Sequence, residues 1–329
     1  MSFHMSRRGV LGGLVATGLS GLPGFGRAQA SDYPRRPIKI VVPWAAGGGS
    51  DTVVRTIAPV LSQRLGQPVI VDNRAGATGT LGSAVVANSP ADGYTLLFGS
   101  ADSQSIAPQV MRKAPYPNSA FVSIGPVGIT PLAVMVHGSN PAKTFAQFTQ
   151  MARDAKPPLF YGSWGIGSSG HIAMEALKDV IKVDMKHVPY LSTAPLMQAQ
   201  LSREIDCSII PLLVAEQYAK AGTVRILAIN SPERLPGHPD VPLLKDLGIA
   251  GLETGLWTGL LAPAGTPPAV IEKLNAALDA SIAEPQVAEA MKKMSLVVQH
   301  MPSAKYQEFT QAEYDRWGRY IKKARIEID

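Results

Sequence analysis

Ile38-Lys39-Ile40-Val41-Val42-Pro43-Trp44-Ala45-Ala46-Gly47-Gly48-Gly49-Ser50-Asp51 is the stretch that decides the fold. Its first half is a β-branched run closed by proline and glycine, which is strand chemistry. Ser50 is placed to cap a helix. Val53, Val54, Ile57, Leu61 and Leu65 then recur at helical spacing up to Gly66. Pro59 falls inside that helix and should kink it. Strand, glycine loop and helix make one α/β unit.

The unit recurs along the chain. Pro68–Asp72 reads as a strand, and Arg74-Ala75-Gly76-Ala77-Thr78-Gly79 is a second glycine loop before a helix around Leu81–Ala87. Asp92-Gly93 turns into a strand, Tyr94–Phe98, that ends in Gly99-Ser100. Leu132–Val136 and Leu159–Tyr161 read as strands around a helix near Thr144–Asp154. The third glycine loop runs from Gly162 to Gly170, and a helix opens at about His171. Met185–Pro189, Asp206–Ile210, Arg225–Ile229 and Trp257–Leu261 are further strands. Thr266-Pro267-Pro268 opens a helix that buries Val270, Ile271, Leu274, Leu278 and Ile282. A last helix from Ser303 carries Tyr306, Phe309, Trp317 and Ile321 on one face. Strands alternating with helices predict mostly parallel sheets flanked by helices.

The 329 residues suggest about two domains, and 46% hydrophobic content supports a large core. A single cysteine excludes a disulfide framework and a cysteine zinc module. The formal charge of +6 owes three units to Arg7, Arg8 and Arg27; the remaining 28 basic residues face 25 acidic ones. The basic run Lys322-Lys323-Ala324-Arg325 is too short for a nucleic-acid face and reads as a solvated helix end. Residues 1–30 have the layout of an export signal: paired Arg7-Arg8, an apolar run from Gly9 to Leu22, and Ala28-Gln29-Ala30 for cleavage. That run is shorter than the ~20 residues that span a bilayer. A soluble periplasmic protein starting near Ser31 is expected, by the twin-arginine or the general route.

Each glycine loop lies after a strand and before a helix, where open α/β sheets bind ligands. Free N–H groups and the helix dipole there favour an anion. Phosphate readings are weaker. Gly47-Gly48-Gly49-Ser50-Asp51 lacks the lysine of a P-loop. Gly165, Gly167 and Gly170 match a dinucleotide pattern, but the next strand ends in Val188-Pro189-Tyr190 without the acid that pattern needs. No cofactor or metal is called for. There is no Gly-x-Ser-x-Gly elbow and no metal-binding helix; His137, His238 and His300 lack ligand spacing. Cys207 reads as a core residue, and His187, in a buried-looking strand, as structural. His171 serves capping, packing or ligand contact, and Asp102 a ligand contact or a cap.

These residues resemble a family. The opening stretch from Pro37 to Asp51 looks like the start of the tripartite tricarboxylate transporter substrate-binding proteins, the Bug family. Leu65 to Gly79, Asp92-Gly93-Tyr94-Thr95-Leu96-Leu97-Phe98, Gly165 to His171, His187-Val188-Pro189-Tyr190 and Trp257 to Pro267 extend the likeness in order. The resemblance implies a non-enzymatic, two-lobed α/β binding protein that closes on a small organic carboxylate. By analogy residues 31–132 and 257–329 form lobe 1 and residues 133–256 form lobe 2. It implicates Trp44, Ala46, Gly47 and Gly48, with Thr78, Ser100 and Ala101, in the first lobe. In the second it implicates Ser163, Trp164, Ser168, Ser169, His171 and Ile210. The implied partners are a large and a small integral membrane subunit of a secondary transporter, with the binding protein a monomer.

Three positions depart from the family pattern: Leu191-Ser192 where glycine is usual, Ile210 at a commonly acidic place, and Trp164 in a slot that is usually small. Ile210 leaves an ammonium group without a partner, which disfavours an amino acid. Trp164 either stacks on an aromatic acid or longer diacid, or packs under its loop and leaves space for a short aliphatic diacid. Two rival functions fit the same chain: a sensor subunit for a membrane kinase, and a hydrolase using the cleft.

Overall fold

The structure is a computed structural model and describes residues 32–231, 233–249 and 255–328. The paired arginines and the Ala28–Ala30 site lie outside the described residues. Strand β1 (Ile38–Val42) buries Ile38, Ile40, Val41 and Val42. Both of its faces are covered, so its apolar run is continuous rather than alternating. Helix α1 (Gly49–Leu65) buries Val53, Val54, Ile57, Leu61 and Leu65 and ends at Gly66, whose φ of 68° suits a glycine stop. Its cap is Gly48, two residues before Ser50, and the helix runs on through Pro59 on its exposed side.

Strand β2 (Val69–Asn73), helix α2 (Thr80–Ala87) and strand β3 (Thr95–Ser100) follow. A wide π-type segment, Ala101–Ile106, then leads into the short α3 (Ala107–Val110). Strand β4 (Phe121–Thr130) is not anticipated by the sequence reading. Gly125, Pro126 and Gly128 break its strand signal, and the register shifts beside Pro126 show a bulge that accommodates them. Pro131 alone separates β4 from β5 (Leu132–His137), yet the two strands enter different sheets. Next come α4 (Phe145–Asp154), β6 (Leu159–Ser163), α5 (Ser169–Ile181), β7 (Met185–Pro189), α6 (Thr193–Ser202), β8 (Cys207–Pro211), α7 (Leu212–Lys220) and β9 (Val224–Asn230). The chain then returns through β10 (Leu256–Pro263), α8 (Pro268–Ile282), α9 (Pro285–Lys293), β11 (Val297–Val298) and α10 (Ser303–Ala324).

Two sheets result, ordered β11-β4-β10-β3-β1-β2 and β7-β6-β8-β5-β9. The two-lobed α/β architecture is present, but the sheets are mixed rather than mostly parallel. β3-β1-β2 and β7-β6-β8 are parallel, as expected of strand–helix units. β10 runs antiparallel to both β3 and β4, and β5 runs antiparallel to both β8 and β9. These are the strands by which the chain crosses between sheets and returns, so no crossover helix sets their direction.

The C-terminal helix ties the lobes together. Its Tyr306, Trp317 and Ile321 are buried with Ala101, Ile106, Ile129 and Trp257 of the first lobe, and Ile172 of α5 enters the same cluster. Full burial of each such side chain contributes about 1.5–3 kcal/mol. Phe309 packs on this cluster from a partly buried position. Lys323 of α10 also pairs with Asp179 of α5.

Candidate functional site

The first loop is organised by a carboxylate. Asp51, in the first turn of α1, accepts hydrogen bonds from the Gly47 N–H at 2.8 Å, Arg55 Nε at 2.9 Å and Asn73 Nδ2 at 3.0 Å. Asn73 Nδ2 also reaches the Trp44 carbonyl at 3.1 Å. The Arg55 guanidinium, then the Gly47 N–H, hold the buried Asp51 carboxyl down to about 2. Gly48 N–H donates to the Ala45 carbonyl. Two of the N–H groups implicated in ligand capture are therefore used within the loop, while exposed Ala46 keeps its own. Asp51 and Asn73 as organisers were missed; the available signal was an acid in the first turn of a helix after glycines.

The second loop is strained. Ala77, Thr78 and Gly79 have φ of 45°, 53° and 86° in succession, before Thr80 returns to −71°. A left-handed conformation costs a non-glycine residue roughly 1–2 kcal/mol. Consecutive residues of this kind before a right-handed one turn their N–H groups toward one side and form an anion-binding concavity. Gly79 N–H bonds the Gly76 carbonyl, while Ala77 and Thr78 N–H have no partner among the described residues. A Cβ on Gly79 would lie 3.0 Å from Ser103 Cβ and 3.4 Å from Trp44 Cζ2. Thus the first two loops and the segment after β3 converge. There Ser100 and Ser103 cap each other's backbone, and Ala101 is fully buried in the shared core.

The third loop folds on its own side chains. Ser163 Oγ lies 2.7 Å from His187 Nε2 and 3.0 Å from the Gly165 carbonyl, to which it donates. Ser168 Oγ donates to the same carbonyl at 2.8 Å and accepts from His171 N–H at 3.3 Å. Gly167 N–H donates to His171 Nδ1, so the neutral ring carries its proton on Nε2. The His171 and His187 rings stack 3.9 Å apart, and Tyr161 stacks on His187 at 4.9 Å. Burial, then His171, pushes His187 down to about 4; burial also lowers His171. His187, read from sequence as structural, holds Ser163.

The Trp164 ring lies against the first turn of α5: a Cβ on Gly170 would stand 2.3 Å from Trp164 Cζ3. The ring also packs against both cores of the second lobe. Ile210 is fully buried among Ala133, Leu196, Met197 and Leu212. As a corrected placement, it is a core residue with no exposed wall to offer.

Asp102 joins the lobes. Its Oδ1 accepts from the Ser169 N–H at 2.9 Å, so an acid at the end of β3 caps α5 of the other lobe. Burial pushes the Asp102 carboxyl up, and the Ser169 N–H offsets only part of this. Of the two sequence readings for Asp102, capping is realised, on a helix 67 residues further along the chain. Among the described residues no cluster of three or more acid, His or Cys side chains could hold a metal. Nor is any described helix long and apolar enough to cross a membrane.

Residues 53–326 match the family described as the tripartite tricarboxylate transporter family receptor. The chain belongs to this family. A relative from Pseudomonas sp. (strain P51), the UPF0065 protein of the tcbD-tcbE intergenic region, is 33% identical over 98% of this chain and 96% of its own. The structure of the periplasmic binding protein BugD superposes with a TM-score of 0.75, at 32% identity, covering 90% of this chain and 99% of BugD. An R. palustris protein solved with adipate gives a TM-score of 0.79, at 29% identity, covering 90% of this chain and 99% of that one. The protein is thus a solute-binding protein of the Bug type, from a family of periplasmic receptors rather than enzymes.

Proposed function

We propose that this receptor captures a small organic carboxylate between its lobes and delivers it to the large and small membrane subunits of a tripartite tricarboxylate-type transporter. The reading takes residues 31–132 with 257–329 as one lobe, residues 133–256 as the other, and a monomer as the working unit. The observation that supports it most is the left-handed run Ala77-Thr78-Gly79 beside Trp44 and Ser103, two of whose N–H groups have no partner among the described residues. Strain in non-glycine residues persists where a site requires it. The adipate held by the R. palustris relative supports a ligand of that size and charge. The test is a thermal-shift screen of the mature protein against organic acids, followed by chemical recovery of the ligand. A cognate acid at 100 times its Kd stabilises the fold by about 2.7 kcal/mol. That is a rise of roughly 5–10 °C at 2–4 °C per kcal/mol. Recovery of the acid unchanged supports the reading; a converted product, or no shift with any carboxylate, overturns it.

A further inference from the structure

We propose that Trp44 is a specificity-determining wall of the site and makes the receptor prefer a carboxylate with a flat aromatic body over an aliphatic one of equal charge. This rests on the carboxylate reading above and names the chemistry of the carbons next to the bound carboxylate. A benzenedicarboxylate has the charge and close to the length of adipate, so the two readings agree on size.

The chain has four tryptophans, and packing accounts for three of them. Trp257 and Trp317 are fully buried, edge-on to Tyr306 and Tyr320 respectively. Trp164 lies against the first turn of α5. Trp44 differs. Its backbone is held, because Asn73 Nδ2 donates to its carbonyl at 3.1 Å and to the buried Asp51 at 3.0 Å. Its indole is only half-buried, stacks on no other ring and lies under no cation among the described residues. Nor does its Nε1–H have an acceptor there. A fixed backbone thus carries an indole whose polar and π surfaces are both unclaimed.

The Cζ2 edge of that indole lies at Gly79, where a Cβ would stand 3.4 Å from it. Gly79 closes the turn whose Ala77 and Thr78 N–H groups have no partner among the described residues. At the start of the same turn, a Cβ on Gly76 would stand 2.4 Å from Cδ1 of the exposed Leu81. The unmet donors are therefore bracketed by apolar side chains, with an aromatic ring at one end. A carboxylate held by those donors brings its next carbons toward the ring. An aromatic body there gains offset or edge contact with the indole beyond its area burial, whereas a methylene chain gains area burial alone. Either removes apolar indole surface from water, but only the flat body uses the π face.

The test is calorimetry on the mature protein with charge-matched pairs, terephthalate against adipate and benzoate against hexanoate. The series is run on wild type, Trp44→Phe and Trp44→Leu. Phenylalanine keeps a ring and leucine keeps only apolar bulk; thermal melts verify that both variants fold. In wild type the aromatic member of a pair binds about threefold tighter or more. Trp44→Phe keeps that preference, and Trp44→Leu abolishes it by weakening the aromatic member. Tryptophan emission of the wild type also changes on binding the aromatic acid; Trp44→Phe loses that change and Trp164→Phe keeps it. A wild type that prefers the aliphatic member or neither overturns this inference alone. So does a Trp44→Leu variant that keeps the aromatic preference or weakens both members alike, and so does an aromatic acid that binds without changing the Trp44 emission. Absence of binding by every acid to wild type overturns the carboxylate reading and this inference with it.

Discussion

Gly170→Ala offers a test of where the indole of Trp164 lies. A methyl group there would stand 2.3 Å from Cζ3, 2.6 Å from Cη2 and 2.9 Å from Cε3 of Trp164. These are atoms of one rigid ring, so none can yield singly and the whole indole must swing away. Trp164 is half-buried against both second-lobe cores, which resist that motion. Overpacking of this kind costs about 1–3 kcal/mol. Alanine as the better helix former returns up to ~1 kcal/mol. Gly170→Ala alone should therefore destabilise the protein by about 1–2 kcal/mol. In a Trp164→Ala background the clash is gone, and the same change should be neutral or stabilising by up to ~1 kcal/mol. The coupling of about 2 kcal/mol stands well above the ~0.3–0.5 kcal/mol within which independent sites add. Urea unfolding of the four ligand-free proteins measures it, provided the m-value is unchanged. Additivity within that limit would refute the packing of the ring on α5 and leave the indole free to stack on a ligand.

Other outcomes are equally open to measurement. Thr78→Gly relieves roughly 1–2 kcal/mol of left-handed strain but adds ~0.4–1 kcal/mol of unfolded-chain entropy. Stability should move by less than ~1 kcal/mol while carboxylate affinity falls several-fold; an unfolding loss above ~2 kcal/mol would make the residue a packing element instead. His187, with its pKa pushed from 6.5 down to about 4, takes up fewer protons folded than unfolded between those values. Stability should therefore fall as pH drops from 7 to 4, by about 1–2 kcal/mol after discounting for partial exposure. His187→Gln should flatten that slope, and an unchanged slope contradicts the assignment. Asp51 acts in a separate window, its stabilisation being lost only as pH falls from about 4 toward 2. Amino-terminal sequencing of periplasmic protein should begin at or next to Ser31; an intact Met1 end in the membrane fraction contradicts cleaved export.

Legibility followed the range of the interactions. β1 and α1 are set by local periodicity and a glycine stop at Gly66, so the opening stretch reveals both. The antiparallel placement of β5 and β10 depends on which sheet the chain enters, and no local pattern records that. β4 was hidden because Gly125 and Pro126, tolerated at a bulge against β10, look like breakers in isolation. At the site, the glycines announced the loops, yet the geometry that matters in the second loop is carried by Ala77 and Thr78, where left-handed backbone is not advertised by residue type. The pairing of Ser163 with His187 spans 24 residues, and that of Asp102 with Ser169 spans 67; both need the fold before they can be seen.

The three loops, alike in sequence, end up electrostatically unlike. At the first, Asp51 takes the Gly47 N–H and is itself balanced by Arg55, so its charge is compensated within the loop and helix. At the third, Asp102 takes the Ser169 N–H, and burial rather than a cation governs its carboxyl, pushing it up. The second alone keeps successive N–H groups without an internal carboxylate, at the expense of backbone strain.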